Sequence, residues 1–469
     1  MSVYVCLLSF TLCYVAARRS LVGGLITTVA IGYLFGITRA NLPDTASYFI
    51  FDSGVLGLYA AQLFRPLTQA LKLRLEGLQA WTELLILWPA VMFLFPAQDL
   101  MVRLVGLRTS VFLLPFLLLG ARLLPEERFK LALGLAALNL VALAFAGAEF
   151  FIGVPEFFPR NPVTKIIYMS KDVAADLAYR IPACFANAHA YGGAMVVTIP
   201  LVAGALLQKQ RRQWQINLLV IGLAAAVLGV LLSATRLNFV AVAILIIVLT
   251  FSIKSRISHA FGWIVILVAI GFFASGVSRL QRFTELQNTD MVAERVGWSV
   301  NMNFFELAVK YPFGNGLGGG GSNIPYFLQD RIENPVIMEN EYARIMLEQG
   351  IFGLLLWIAF LTWLLMRPGV DSTDSWGQGR RLARWACLLM FGTGLIGIGM
   401  FVTVPQTCLL LINAGWLAAR QRSSALEESR ASSIDLATRS RFRLESATGR
   451  LRTKLLRTPA QVSENHESN

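Results

Sequence analysis

The sequence predicts an all-α polytopic membrane protein, and three observations carry that prediction. Hydrophobic residues make up 56% of the 469 residues and charged residues only 15%, whereas a soluble domain is about 25% charged. The apolar residues come in long runs, and a helix needs about 20 of them to cross the hydrocarbon core. Most runs lack two-residue alternation, which argues against a β-barrel. Inside lipid every backbone N–H and C=O must be paired within the protein, and helices do this.

The runs lie at 1–17, 20–38, 47–64, 78–95, 109–124, 131–150, 190–208, 216–234, 237–253, 260–277, 346–366, 385–402 and 404–419, about 12–13 transmembrane helices by apolar length. The first ends on Arg18 and Arg19. A signal peptide carries its positive charge ahead of its apolar run, so this segment reads as an uncleaved helix with its N-terminus outside. Arg39 closes the second run, and the break after the third holds Arg65, Lys72 and Arg74. Arg103 and Arg108 precede the run at 109–124, and Arg122, Arg128 and Lys130 follow it. The later breaks hold Lys209, Arg211 and Arg212, then Arg236, then Lys254 and Arg256, and finally Arg367, Arg380, Arg381 and Arg384. Asp52 and Glu83 are isolated acids within the runs, either hydrogen-bonding neighbouring helices or relaying protons.

Orientation follows from these basic residues. One alternate set of breaks holds seventeen Lys and Arg before the tail, and the other short breaks hold Arg39, Arg103, Arg108 and Arg236. By the positive-inside rule the first set is cytoplasmic. The formal net charge of +13 therefore reads as topology and not as a nucleic-acid interface. The transmembrane domain spans 1–420, with two longer outward loops at about 151–189 and 278–345. Residues 421–469 read as a basic cytoplasmic tail that either rests on anionic lipid or is simply solvated. Cys6, Cys13, Cys184, Cys387 and Cys408 show no metal-like spacing and no disulfide framework.

The outward loops hold the candidate site residues. The first ends Tyr179-Arg180-Ile181-Pro182, then runs through Asn187 and His189 into the next apolar run. Arg180 and His189 thus sit at lipid-headgroup level. A guanidinium there suits a diphosphate, to which it donates two parallel hydrogen bonds; it equally suits snorkelling or a loop acid. Ser233-Ala234-Thr235-Arg236-Leu237-Asn238 is a short turn between two apolar runs. A charge held at that depth faces a partner or a polar cavity; Glu339, Glu149 and an anionic substrate are the candidate partners, and an ordinary helix-end Arg is the plain reading. The second loop carries Arg279, Arg282 and Arg295, then Tyr311-Pro312-Phe313-Gly314-Asn315-Gly316, with Gly314, Gly316 and Gly319 matching G-x-G-x-x-G. That fingerprint has meaning only between a strand and a helix. Here the glycines form a flexible turn or line a phosphate with backbone N–H groups. The loop closes on Glu339-Asn340-Glu341-Tyr342 and Arg344, with Glu348 beyond. Glu339 and Glu341 can accept a proton from a hydroxyl; Glu341 and Glu348 can also pair with Arg344.

Three of these stretches together resemble the bacterial O-antigen polymerase and O-antigen ligase superfamily. They are Arg180, Phe185, Asn187, His189, Tyr191 and Gly192; Ser233 and Arg236; and Arg295, Trp298, Pro312, Gly314, Gly316, then Glu339-Asn340-x-Tyr342, Glu348, Gly350-Ile351 and Gly353. The resemblance covers roughly residues 130–366. In the family the last stretch typically reads His-Asn-x-Tyr-Leu, then Glu-x-Gly-Ile-x-Gly. Glu339 stands where the ligase type has His, which shifts the reading toward polymerase or a related exopolysaccharide role.

The resemblance implies a glycosyltransferase of the bacterial inner membrane whose active face is periplasmic. It takes a glycan carried on undecaprenyl diphosphate and passes it to an acceptor glycan or lipid, with no nucleotide sugar, cofactor or required metal. Arg180, Arg236 and Arg295 would hold the diphosphate and Glu339 would activate the acceptor hydroxyl. His189, Asn340, Tyr342, Arg279 and Arg282 would contact substrate, and a chain-length regulator is the protein partner the family suggests. A transporter or flippase of lipid-linked glycans is the alternative; a membrane scaffold without catalysis is the third reading.

Overall fold

In a computed structural model the described residues are 1–63, 65, 68–169, 179–208, 212–252, 290, 293–294, 297, 304–321, 324–336, 338, 340–367, 376–397 and 399–419. The expected span at 260–277 and the tail at 421–469 lie outside them. The described elements are helical: α1 Ser2–Arg19, α2 Leu21–Asn41, α3 Ile50–Leu63, α4 Gln69–Leu75, α5 Leu78–Phe93, α6 Leu100–Val111, α7 Pro115–Arg122, α8 Pro125–Ile152, α9 Val154–Phe157 and α10 Lys165–Met169. They continue with α11 Ala188–Leu206, α12 Gln213–Ser233, α13 Arg236–Ser252, α14 Phe304–Lys310, α15 Glu341–Leu365, α16 Gly377–Thr393 and α17 Gln406–Ala418. Among the described residues six stretches are long and apolar enough to cross a membrane: α2, α6 with α7, α8, α11, α12 and α15. The chain is an all-α, multi-pass membrane protein.

Local sequence sets the helix starts. The Ser20 hydroxyl accepts from Gly23 N–H (2.9 Å) and caps α2. Pro125 opens α8, where the Glu127 carboxylate accepts the Leu124 N–H (2.9 Å). The bundle is built around α11, whose residues are all buried except His189. Polar groups tie it to its neighbours inside the apolar interior. Tyr33 donates to Asn139 (2.8 Å), whose amide donates to Thr198 (3.0 Å), joining α2, α8 and α11. Asn413 donates to the Val197 carbonyl (2.8 Å) and adds α17.

Side-chain contacts sort the connections to two ends. At one, Arg65 donates to the carbonyls of Ala17 and Arg18 (2.8 and 2.7 Å), Arg74 to Leu123 (3.1 Å), and Arg380 to Leu417 and Ala419 (2.5 and 2.8 Å). These belong to the basic breaks. At the other end Asn41 donates to the Phe157 carbonyl (3.1 Å), Asn161 to Ala40 (2.8 Å), and Gln98 to Asn315 and Glu333 (2.9 Å each). The described parts of the two long loops therefore share one end of the bundle. Helix α2 runs between the ends, from beside Arg19 to Asn41.

Several boundaries differ from the sequence expectation, for physical reasons. The run expected at 109–124 starts at Leu100, so Arg103 and Arg108 lie in a helix and not in a break. Arg108 is accommodated because it grips Asp52 with two bonds of 2.5 and 2.7 Å, so Asp52 is not isolated. The run expected at 385–402 is shifted to Gly377–Thr393. Arg380 and Arg384 reach backbone carbonyls, and the helix ends ahead of the glycines at 394, 397 and 399. The run at 47–64 is a short 3-10 turn, Thr45–Phe49, followed by α3.

Helix α15 begins at Glu341, five residues before the expected span, and is broken at Gly350 (φ 72°, ψ −178°). The break leaves backbone groups that need partners at membrane depth. Trp88 donates to the Gln349 carbonyl (3.0 Å), Asn315 N–H to Leu347 (2.5 Å), and Ile351 N–H to Pro312 (3.0 Å). The Gly-rich turn is thus the plug of a broken helix. Its Gly319 and Gly321 N–H groups bond the turn's own carbonyls (3.1 Å each), so they do not line a phosphate site.

Close backbone approach makes one glycine a sharp test of this packing. A Cβ on Gly36 would lie 1.9 Å from the Phe185 carbonyl carbon, whereas one on Gly147 meets nothing within 4 Å. Gly36→Ala is expected to lower the unfolding temperature in detergent by several degrees or abolish insertion, and Gly147→Ala to leave both unchanged. Thermal unfolding followed by size-exclusion chromatography checks the pair.

Candidate functional site

The loop before α11 is held in place from below. Glu149, buried in α8, accepts the Ala183 N–H (2.9 Å), and Ile37 N–H donates to the Cys184 carbonyl (3.1 Å). Phe185 stacks on Tyr191 at 5.3 Å and tilts against Tyr33 at 4.8 Å. Burial pushes the Cys184 thiol up to about 12, so it is a neutral packing group and not a nucleophile. Asn187 then caps α11 by accepting from Ala190 N–H (2.8 Å).

This clamp sets Arg180 against His189, with Nη1 3.0 Å from Nε2. A guanidinium only donates, so His189 accepts at Nε2 and carries its proton on Nδ1. The exposed His189 and half-buried Arg180 form a polar pair at the loop end of a helix otherwise enclosed by protein.

The Ser233–Asn238 turn sits directly on this first helical turn. Ser233 and Thr235 hydroxyls lie 2.9 Å apart, and Asn238 donates to Thr235 (2.9 Å) and to the His189 carbonyl (3.4 Å). Gly192 allows the approach: a Cβ there would come within 2.6 Å of both the Ser233 and Thr235 hydroxyls. Arg236, half-buried, opens α13 at this junction. Structure therefore brings together the segments that carry Arg180, His189 and Arg236.

The start of α15 is the third wall. Asn340 caps it by accepting from Tyr342 and Ala343 N–H (2.9 and 3.2 Å). Tyr342 donates to the Phe391 carbonyl (2.9 Å), so its hydroxyl is engaged in packing. Below them Arg344 binds Glu341 through Nε and Nη2 (3.1 and 2.6 Å) and Glu348 through Nη1 (2.6 Å), all three side chains buried. Gly399 N–H donates to the second Glu341 oxygen (2.8 Å), and Gly320 N–H to Glu348. The 394–399 segment links this wall to the turn, since Glu341 N–H donates to Gly394 (2.9 Å) and a Cβ on Gly397 would lie 3.7 Å from Leu237.

Glu341 and Glu348 are thus the counter-ions of Arg344. Glu149, one candidate partner for Arg236, holds the Ala183 backbone instead. Glu339, Arg295, Arg279 and Arg282 lie outside the described residues. Sequence reasoning did not single out the 394–399 segment, which contributes two backbone contacts to the site wall; its only signal was four glycines in eight residues, at 392, 394, 397 and 399. Among the described residues no cluster of His, Cys, Asp and Glu has the makings of a metal site.

No family model matches the chain, and no curated protein matches it.

Removing Arg344 strands two buried carboxylates, a change that costs about 3–5 kcal/mol when even one partner of a buried pair is lost. Arg344→Ala is expected to be recovered poorly from the membrane, and Glu348→Gln, which keeps an acceptor for Gly320, to be recovered well. The Glu149 clamp is tested by Glu149→Gln and Glu149→Leu. The amide still accepts from Ala183, whereas leucine leaves a buried N–H unpaired at about 1–3 kcal/mol. Thermal unfolding of the purified variants should rank wild type and Glu149→Gln above Glu149→Leu.

Proposed function

We propose that this protein is an inner-membrane glycosyltransferase that polymerises or transfers a glycan carried on undecaprenyl diphosphate, acting at its periplasmic face. One observation carries the reading. The Arg180–His189 pair and the turn bearing Arg236 are packed together at the bundle end that holds both long loops, and the charge pattern assigns that end to the outside. The same residues carry the resemblance to the O-antigen polymerase and ligase superfamily.

In this reading the guanidiniums of Arg180, Arg236 and Arg295 bind the diphosphate. A lipid diphosphate is a good leaving group only when its departing charge is stabilised, and preorganised donors in a low-dielectric site do this without reorganisation. An acceptor hydroxyl attacks the anomeric carbon as the bond from that carbon to the phosphate oxygen breaks. The hydroxyl proton passes to Glu339, and undecaprenyl diphosphate leaves with the electron pair. His189 orients Arg180, and the lipid tail enters sideways between helices.

A transporter of lipid-linked glycans draws support from the break in α15, since transporters place substrate at discontinuous helices. The break is filled by the Gly-rich turn, with backbone groups at Leu347, Gln349 and Ile351 bonded to protein, which favours a structural break over a transport site.

Arg180→Ala and Arg236→Ala are expected to reduce polymer by about 100-fold or more, with both variants inserted at wild-type levels. Glycan ladders on gels and membrane immunoblots read the two quantities. Normal ladders in both variants contradict the proposal.

A further inference from the structure

Arg39, Arg103, Arg108 and Arg236 are helical arginines at the loop end, in α2, α6 and α13. Arg103 donates to the Phe93 carbonyl (3.0 Å) and Arg108 grips Asp52. Arg39 differs. Its guanidinium lies over the rings of Phe35 (5.1 Å) and Tyr48 (4.8 Å), and its Nε is enclosed without a hydrogen-bond acceptor. Among the described residues it makes no hydrogen bond and no ion pair. The nearby formal charge acting on it is that of Arg108, which opposes its own. Asp52 is fully engaged by Arg108, so the cluster of Arg39, Arg108 and Asp52 carries an excess positive charge.

A half-buried guanidinium in an aromatic clasp, with its fork unpaired, is preorganised for an oxyanion. The surroundings indicate which source supplies it. Phe49 beside Tyr48, Leu56 one turn along from Asp52, and Leu104 one turn before Arg108 are apolar and about half exposed. Acyl chains fit such flanks.

We propose that Arg39, with Arg108 behind it, binds the phosphate of an anionic phospholipid in the leaflet at the loop end. The site is distinct from the segments that carry Arg180 and Arg236 and does not depend on the glycosyl-transfer reading. Arg39 donates its fork to the phosphate oxygens while Phe35 and Tyr48 hold its plane.

Native mass spectrometry of the full purified chain tests this in micelles doped with phosphatidylglycerol, with inorganic phosphate as a separate probe. Wild type should retain phosphatidylglycerol. Arg39→Gln should weaken retention by about tenfold, the loss of one charge-assisted pair, and Arg331→Gln, an exposed cation at the same end, should not. Arg39→Lys keeps the charge without the fork and should fall between, which preserves the comparison if Arg39→Gln does not fold. Equal retention by wild type, Arg39→Lys and Arg39→Gln overturns the site. Displacement of the lipid by millimolar inorganic phosphate overturns the lipid as its occupant.

Discussion

The loop end of this bundle depends on a buried charge cluster, Glu341–Arg344–Glu348. One guanidinium holds two carboxylates at 2.6 Å each, and the remaining lone pairs are met by backbone N–H groups of Gly399 and Gly320. Buried charge is tolerated only when each member is fully bonded. Satisfying this requirement pins three separate pieces of chain: the start of α15, the Gly-rich turn and the segment between α16 and α17. The Gly350 break has the same logic, because its loose carbonyls and N–H are met by Asn315, Trp88 and Pro312. Irregular backbone at membrane depth persists where protein surrounds it.

On that frame α11 serves as a post. It is enclosed along its length, and its one exposed side chain, His189, emerges beside Arg180 and under the Arg236 turn. The candidate site is held by rigid elements, with Glu149 fixing the loop from below and Gly192 admitting the turn. Such placement suits electrostatic catalysis, where donors gain most from being positioned before charge develops. The Arg39 cluster lies on another part of the same end, where α2, α3 and α6 meet exposed apolar flanks, and a lipid there would fill the bundle's outer rim.

Much of this was legible in the sequence because lipid imposes simple rules. Apolar length located α2, α8, α11 and α12, and Arg65, Arg74 and Arg380 of the basic breaks bond at one end of the bundle. The Arg344 pairings were readable from i, i+3 and i, i+4 spacing. Other features were hidden because hydropathy averages over single charges. Arg108 and Asp52 each looked like a boundary or an isolated acid, and only their mutual grip across 56 positions explains a helix reaching back to Leu100. The glycines at 314–321 matched a nucleotide fingerprint by letter, yet their use is local: they permit a turn to plug a helix break. The aromatic clasp on Arg39 joins residues of α2 to the turn before α3, a contact that no periodicity announces.

The most direct test of the central claim is reconstitution of the purified protein in proteoliposomes with a defined undecaprenyl-diphosphate oligosaccharide and an acceptor glycan. The account predicts new glycosidic bonds, with free undecaprenyl diphosphate released in equal amount, detected by mass spectrometry without added nucleotide sugar. Movement of the lipid-linked glycan between leaflets with no bond formed would contradict it, and so would the absence of both.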